Sequence, residues 1–378
     1  MVPKAYLDHH TATRPLSSSI EAMLPFLRDH WGSIAAPHQM GQELIPAWEQ
    51  SLESILDVLG AKKEDRFYFF SSNSEAIREL YQWHYLDQIR NTGKNHIVTT
   101  NIEEAAILSS LKRLEELGCV GKILSVNAQG QLTQAILDDA LRPRSSLVSI
   151  SWANGLTGVI HPIADLAEAC QAKDVRLHVD ASYMIGKTYF RFEDFNIDFL
   201  TFDGSLLHAP KGTAGLLVKE KTNFSYPASP MVRTPMGQLV ALAQALEKGR
   251  SMFDHLCLET ARLRDKLEKG VQEGFPDAVL LFQEAERLPN CSSIAFPGVI
   301  GDALLFLLNR KGVYASFGGG HCQKLSQILL ASGFDETLAQ CALSFSLSFE
   351  TQEKEIEDAI ETIVESAHQL QKLSRQLL

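Results

Sequence analysis

Seven short β-rich runs, at residues 66–71, 96–100, 122–126, 146–152, 175–179, 197–202 and 213–218, alternate with stretches of helical spacing. Most are apolar on both faces, as a sheet covered by helices on each side requires, because neither face then meets water. The alternation predicts an α/β fold. Over 103–117 the apolar residues fall at helical spacing, acidic Glu103 and Glu104 open the first turn, and Gly118 supplies a stop. Residues 162–172 repeat that pattern. Beyond about residue 220 come a Pro-containing connection, a long helical stretch over 238–270, and then mixed strands and helices. In the last helix, opened by Thr351 and acidic residues, Ile356, Ile360, Ile363, Val364, Ala367 and Leu370 mark one apolar face.

A chain of 378 residues, 45% hydrophobic, exceeds the roughly 250–300 residues at which single cores stop growing, so two units are expected. The net charge of −11, without a dense run of Lys and Arg, argues against nucleic acid as a partner. No stretch has the length and apolarity of a bilayer span, and the opening residues carry no apolar signal core, so a cytoplasmic protein with no membrane partner is expected. Six scattered cysteines show no paired metal-ligand spacing, which fits reduced thiols and no metal site.

Three segments carry possible chemistry. His178-Val179-Asp180-Ala181-Ser182-Tyr183 is an apolar strand ending in a carboxylate, and residues just past such strand ends face the ligand crevice of an open α/β sheet. Asp180 there either holds a proton on a heterocyclic nitrogen or caps the next helix. Phe69-Phe70-Ser71-Ser72-Asn73-Ser74-Glu75 runs from a strand into a helix whose free N–H groups and Ser74 hydroxyl suit a phosphate, although Ser and Asn are also the usual N-caps. The third, Thr201-Phe202-Asp203-Gly204-Ser205-Leu206-Leu207-His208-Ala209-Pro210-Lys211-Gly212-Thr213, reads as a strand, a tight turn and a return strand.

That third segment resembles the Ser-x-His-Lys turn and Gly-Pro-Lys-Gly of cysteine desulfurases and other class V aminotransferase-fold enzymes. The resemblance spans nearly the whole chain: Tyr6-Leu7-Asp8-His9-His10-Thr11-Ala12-Thr13, Pro37-His38-Gln39-Met40-Gly41, Gly158-Val159-Ile160-His161-Pro162-Ile163, His178-Val179-Asp180-Ala181 and Phe345-Ser346-Leu347 match in order and spacing. It implies the fold of a type I pyridoxal 5'-phosphate (PLP) enzyme, with a mixed, mostly parallel sheet covered by helices. A large domain over 14–245 and a smaller α+β domain formed by 1–13 and 246–378 are implied, together with a homodimer.

Aligned on Pro210-Lys211-Gly212, Ser205 stands at the family's histidine and Leu206 at the lysine that forms the Schiff base with PLP. Leucine forms no imine and shuttles no proton. The resemblance assigns Asp180 to the pyridinium nitrogen, Ser74 to the phosphate beside Asn73, and Tyr183 to the position of a glutamine that contacts the cofactor oxygen. It places Glu104 at a ring-stacking histidine, Gly155 at an asparagine near the substrate and Ser344 at the arginine that holds the substrate carboxylate. Lys211 and Lys187 are the lysines weighed as substitutes for the missing one. Gly318-Gly319-Gly320-His321-Cys322 resembles the mobile loop that carries the sulfur-accepting thiol, which makes Cys322 the candidate acceptor; an ordinary thiol in a glycine turn is the alternative. The resemblance thus implies sulfur transfer for iron–sulfur cluster supply, either by an impaired enzyme or by a noncatalytic homologue that partners a sulfur acceptor, a scaffold protein or an active desulfurase.

Overall fold

The computed structural model describes residues 4–224, 234–319 and 322–377. All seven runs are strands of one sheet: β1 (Arg66–Phe70), β2 (His96–Thr100), β3 (Val120–Leu124), β4 (Ser145–Ser151), β5 (Arg176–Asp180), β6 (Phe199–Asp203) and β7 (Ala214–Val218). Their order is β1-β7-β6-β5-β4-β2-β3. Only β7 runs against the rest, pairing antiparallel with β1 and β6. Every residue of β2 and β4 is buried, as continuous apolar runs require. β3 differs from its expectation: it lies at the sheet edge, and Val120 and Ile123 are exposed.

The helices that fix the site are α1 (Ser17–Arg28), α2 (Ile45–Val58), α3 (Asn73–Trp83), α4 (Ala105–Glu115), α5 (Ile163–Ala172), α6 (Met236–Ser251), α7 (Phe253–Gly274), α8 (Gly301–Arg310) and α9 (Glu353–Leu377). The stretch read as one helix over 238–270 is two. Met252 leaves the helical region after Gly249 and Ser251, both weak helix formers, and α7 restarts at once. The expected opening of α9 also shifts: the Thr351 hydroxyl accepts from the Ser348 amide, while the Glu355 carboxylate reaches back to the Gln352 amide.

One core packs Val98, Val148, Ile150, Leu177 and Val179 of the sheet against Leu166 of α5 and Leu239, Leu242 and Leu246 of α6. A second gathers Ala5 and Leu7 with Leu263, Leu267, Phe345, Ile356 and Ile363. It surrounds a three-stranded antiparallel sheet made by β8 (Val279–Leu280), β9 (Cys291–Ala295) and β10 (Ala342–Ser346). Among the described residues, no helix is long and apolar enough to cross a membrane.

Candidate functional site

Six strands run in one direction, so Phe70, Thr100, Ser151, Asp180 and Asp203 all end strands on the same edge of the sheet. That edge is where a crevice belongs in an open α/β sheet. Asp180 is buried there. Its Oδ1 accepts from the Ser182 amide (3.0 Å) and hydroxyl (2.6 Å), and Asn73 Nδ2 donates to Oδ2 at 2.7 Å. Burial pushes its carboxyl up, against the pull of the Ser182 and Asn73 hydrogen bonds. Asp180 therefore opens a turn rather than a helix. Asn73 starts α3, where Ser72 supplies the cap by accepting from the Glu75 amide at 3.2 Å. Ser74 is exposed in the first turn.

The turn after β6 follows its local chemistry. Asp203 Oδ1 accepts from the amide and hydroxyl of Ser205, and the Ser205 carbonyl accepts from the amide and hydroxyl of Thr13. Leu206, 6% exposed, belongs to the large core. No amine stands at the family's lysine position. Lys211 is exposed beyond the turn.

Tyr183 departs from the expected cofactor contact. Its ring lies against Gly155, where an added Cβ would meet the ring at 2.4 Å, and its hydroxyl donates to Glu104 Oε1 at 2.6 Å. Gly155, Tyr183 and Glu104 thus pack as one unit, at the three positions where the resemblance expects an asparagine, a glutamine and a histidine. Between these side chains and Ser151, Leu156 and Gln323 the cavity is about 10 Å³, room for at most one water. Ser344 spends its hydroxyl on the Leu156 carbonyl at 2.6 Å and offers no cation to a carboxylate.

Sequence reasoning places Glu103 in the first turn of a helix and misses its burial. The residue is 1% exposed and accepts from Thr100 Oγ1 (2.6 Å), the Ser151 amide (2.8 Å) and Ser151 Oγ (2.7 Å). Burial raises its carboxyl to about 7, with Asp180 adding repulsion. Helix α4 starts two residues later, at Ala105, and Glu104 occupies its N-cap without a side-chain cap bond. Gly320 and His321 lie outside the described residues, as does the side chain of Cys322. The backbone of Cys322 pairs with Gly319 in a two-residue ribbon. That ribbon is docked, since Gln323 Nε2 donates to the carbonyls of Asn101 (2.9 Å) and Glu103 (3.0 Å). Gly318, at φ +83°, approaches the Gln323 carbonyl so closely that a Cβ would sit 2.2 Å from its oxygen. Close packing demands this glycine.

PLP needs an amine for its aldehyde, an available carboxylate for its ring nitrogen and room for its ring. Here Asp180 Oδ2, with one donor, keeps a lone pair, but the turn offers leucine and the Tyr183 ring occupies the space over Gly155. The residues present do not fit the group.

The family pattern described as Aminotransferase class-V matches residues 5–248. A cysteine desulfurase of Nostoc sp. is 31% identical, with 98% of this chain and 94% of that protein covered. The cysteine desulfurase NifS of Azotobacter vinelandii is 29% identical over the same shares. A solved NifS-like protein superposes with a TM-score of 0.87 at 27% identity, covering 96% of this chain and 98% of its own. The sheet order, the flanking helices and these matches agree in placing the chain in the class-V aminotransferase family, among the NifS-like cysteine desulfurases, with the type I PLP-enzyme fold.

Proposed function

We propose that this chain is a catalytically silent member of the cysteine desulfurase family that serves sulfur transfer through protein contacts rather than through PLP chemistry. The observation that carries the reading is Leu206 in the lysine turn, supported by the Tyr183 ring packed on Gly155. A desulfurase must activate the Cα–H bond of cysteine, and with leucine in place of the amine no group at that position can move the proton. The retained hydrogen bonds of Asp180 with Asn73 and Ser182 keep the crevice edge folded. On this reading the chain forms the dimer expected of its fold, either with itself or with an active desulfurase, and presents the Cys322 ribbon to a sulfur acceptor or scaffold protein.

The test is borohydride reduction of the purified protein with PLP, followed by peptide mass analysis, alongside sulfide release from cysteine. Neither an adduct nor sulfide is expected. A stoichiometric adduct on any lysine, with sulfide release, overturns the proposal. Native mass spectrometry of the chain mixed with an active NifS-type desulfurase then asks whether a mixed dimer forms, and a shift in the desulfurase's sulfide rate measures its effect.

A further inference from the structure

A second cavity, of about 640 Å³, has Leu206 of the turn after β6 in its wall. None of Asn73, Ser74, Glu104, Asp180 or Tyr183 lines it. Its size falls within the range of small-molecule sites. Leu16, Ile185, Phe190, Leu206, Leu246 and Phe349 give it a mostly apolar wall, and the break at Met252 folds the α6–α7 junction around one side. The helix break missing from the sequence pattern is thus what builds this enclosure.

Lys187 lies in that wall. Among the described residues its ammonium has no hydrogen-bond or ion-pair partner. Burial lowers it to about 8, and the neighbours that oppose burial are the thiols of Cys291 and Cys257, each pushed up to about 11 by its own burial and so neutral. Asp254 is the one carboxylate in the wall; it is exposed and makes no ion pair with Lys187. Two further cavity residues, His9 and His208, are held neutral by desolvation, at about 3 and about 4, and buried Nδ1 of His9 has no hydrogen-bond partner among the described residues. Of the other cations in the wall, Arg250 is paired with Asp57, and both Arg250 and Lys248 are exposed. Lys187 is half-buried, so its ammonium is partly withdrawn from water, and among the described residues no carboxylate forms an ion pair with it.

We propose that this cavity is a binding site for a small monoanionic amphiphile, a carboxylate with an apolar body, whose headgroup pairs with Lys187 while the body lies along the Leu206 and Phe349 side of the wall. A carboxylate matches the half-buried Lys187 ammonium, and the apolar wall rewards a hydrocarbon body.

Isothermal titration of the full chain with octanoate, and with octanol as the uncharged counterpart, tests the site. Octanoate is expected to bind saturably at one per chain and at least tenfold more tightly than octanol. Lys187→Met, which keeps the apolar stem, is expected to remove that preference and leave octanol unchanged. Absence of saturable octanoate binding, equal binding of the two probes, or an unaltered preference in the variant overturns the proposal. In the unmodified protein, octanoate should also shield Lys187 from amine acetylation mapped by peptide mass, which keeps the test open should the variant fold poorly. Unchanged acetylation overturns it too.

Discussion

Glu103 and Tyr183 carry the main consequences at the scale of single residues. Glu103 is held protonated by burial, with its folded value near 7 above the ordinary 4.5. Its contribution to stability is complete below pH 4.5 and is lost as pH rises through 7, at about 1.4 kcal/mol per pH unit in between. Glu103→Gln, which keeps an acceptor for Ser151, should flatten that slope in urea titrations between pH 4.5 and 7. Tyr183 needs Gly155, since a Cβ would meet its ring at 2.4 Å. Gly155→Ala should cost about 1–3 kcal/mol by chemical denaturation and cost far less in a Tyr183→Ala background, the mark of direct coupling. The same packing bears on restoring chemistry. Leu206→Lys alone is expected to give no borohydride-trapped adduct, whereas joined to Tyr183→Gln it should give one, because only then is there both an amine and space beside Gly155.

At the scale of elements, the ribbon that carries Cys322 is docked through Gln323. Gln323 reaches the carbonyls of Asn101 and Glu103 across the crevice. Gln323→Ala removes two hydrogen bonds worth about 1 kcal/mol each. Faster amide exchange over residues 322–324, with the exchange of β4 and β5 unchanged, is the expected result. The helices show the limit of periodicity as a guide. Residues 238–251 and 253–270 share a helical spacing, and nothing in that spacing shows that the chain turns at Met252. The acidic pair before α4 was equally ambiguous. A carboxylate at a helix start reads as a dipole partner, and only the packing of β4 beside it turns Glu103 inward to Ser151.

For the whole molecule, the second core depends on a buried ion pair that ties α7 to the segment before β9. Arg287 Nη1 and Glu268 Oε1 are 3.0 Å apart, with side chains 9% and 7% exposed, and Ser292 Oγ donates to the same carboxylate oxygen at 2.8 Å. Glu268→Ala leaves the guanidinium buried without its partner, so a loss of about 3–5 kcal/mol is expected in equilibrium denaturation. The exposed pairs of Arg262 and Lys266 with Glu353 join α7 to α9 at the surface. Removing one of these should cost under about 1 kcal/mol, because water and salt already screen them. The seven strands, the helix-covered sheet and the apolar face of the last helix were legible in the sequence. Each follows from local pattern and burial, which depend on neighbours along the chain. The strand and turn pattern likewise placed Asp180 at a strand end, Ser74 in the first turn of a helix and Leu206 in a turn. What the tertiary structure alone decided is how those positions are used: Tyr183 closing over Gly155, Asp180 held by Asn73 across 107 residues, Glu103 turned inward, and Lys187 in the wall of a second cavity without an ion-pair partner among the described residues. Such pairings are contacts between segments far apart in the chain, and their energies depend on shape, desolvation and distance, none of which is written in residue order.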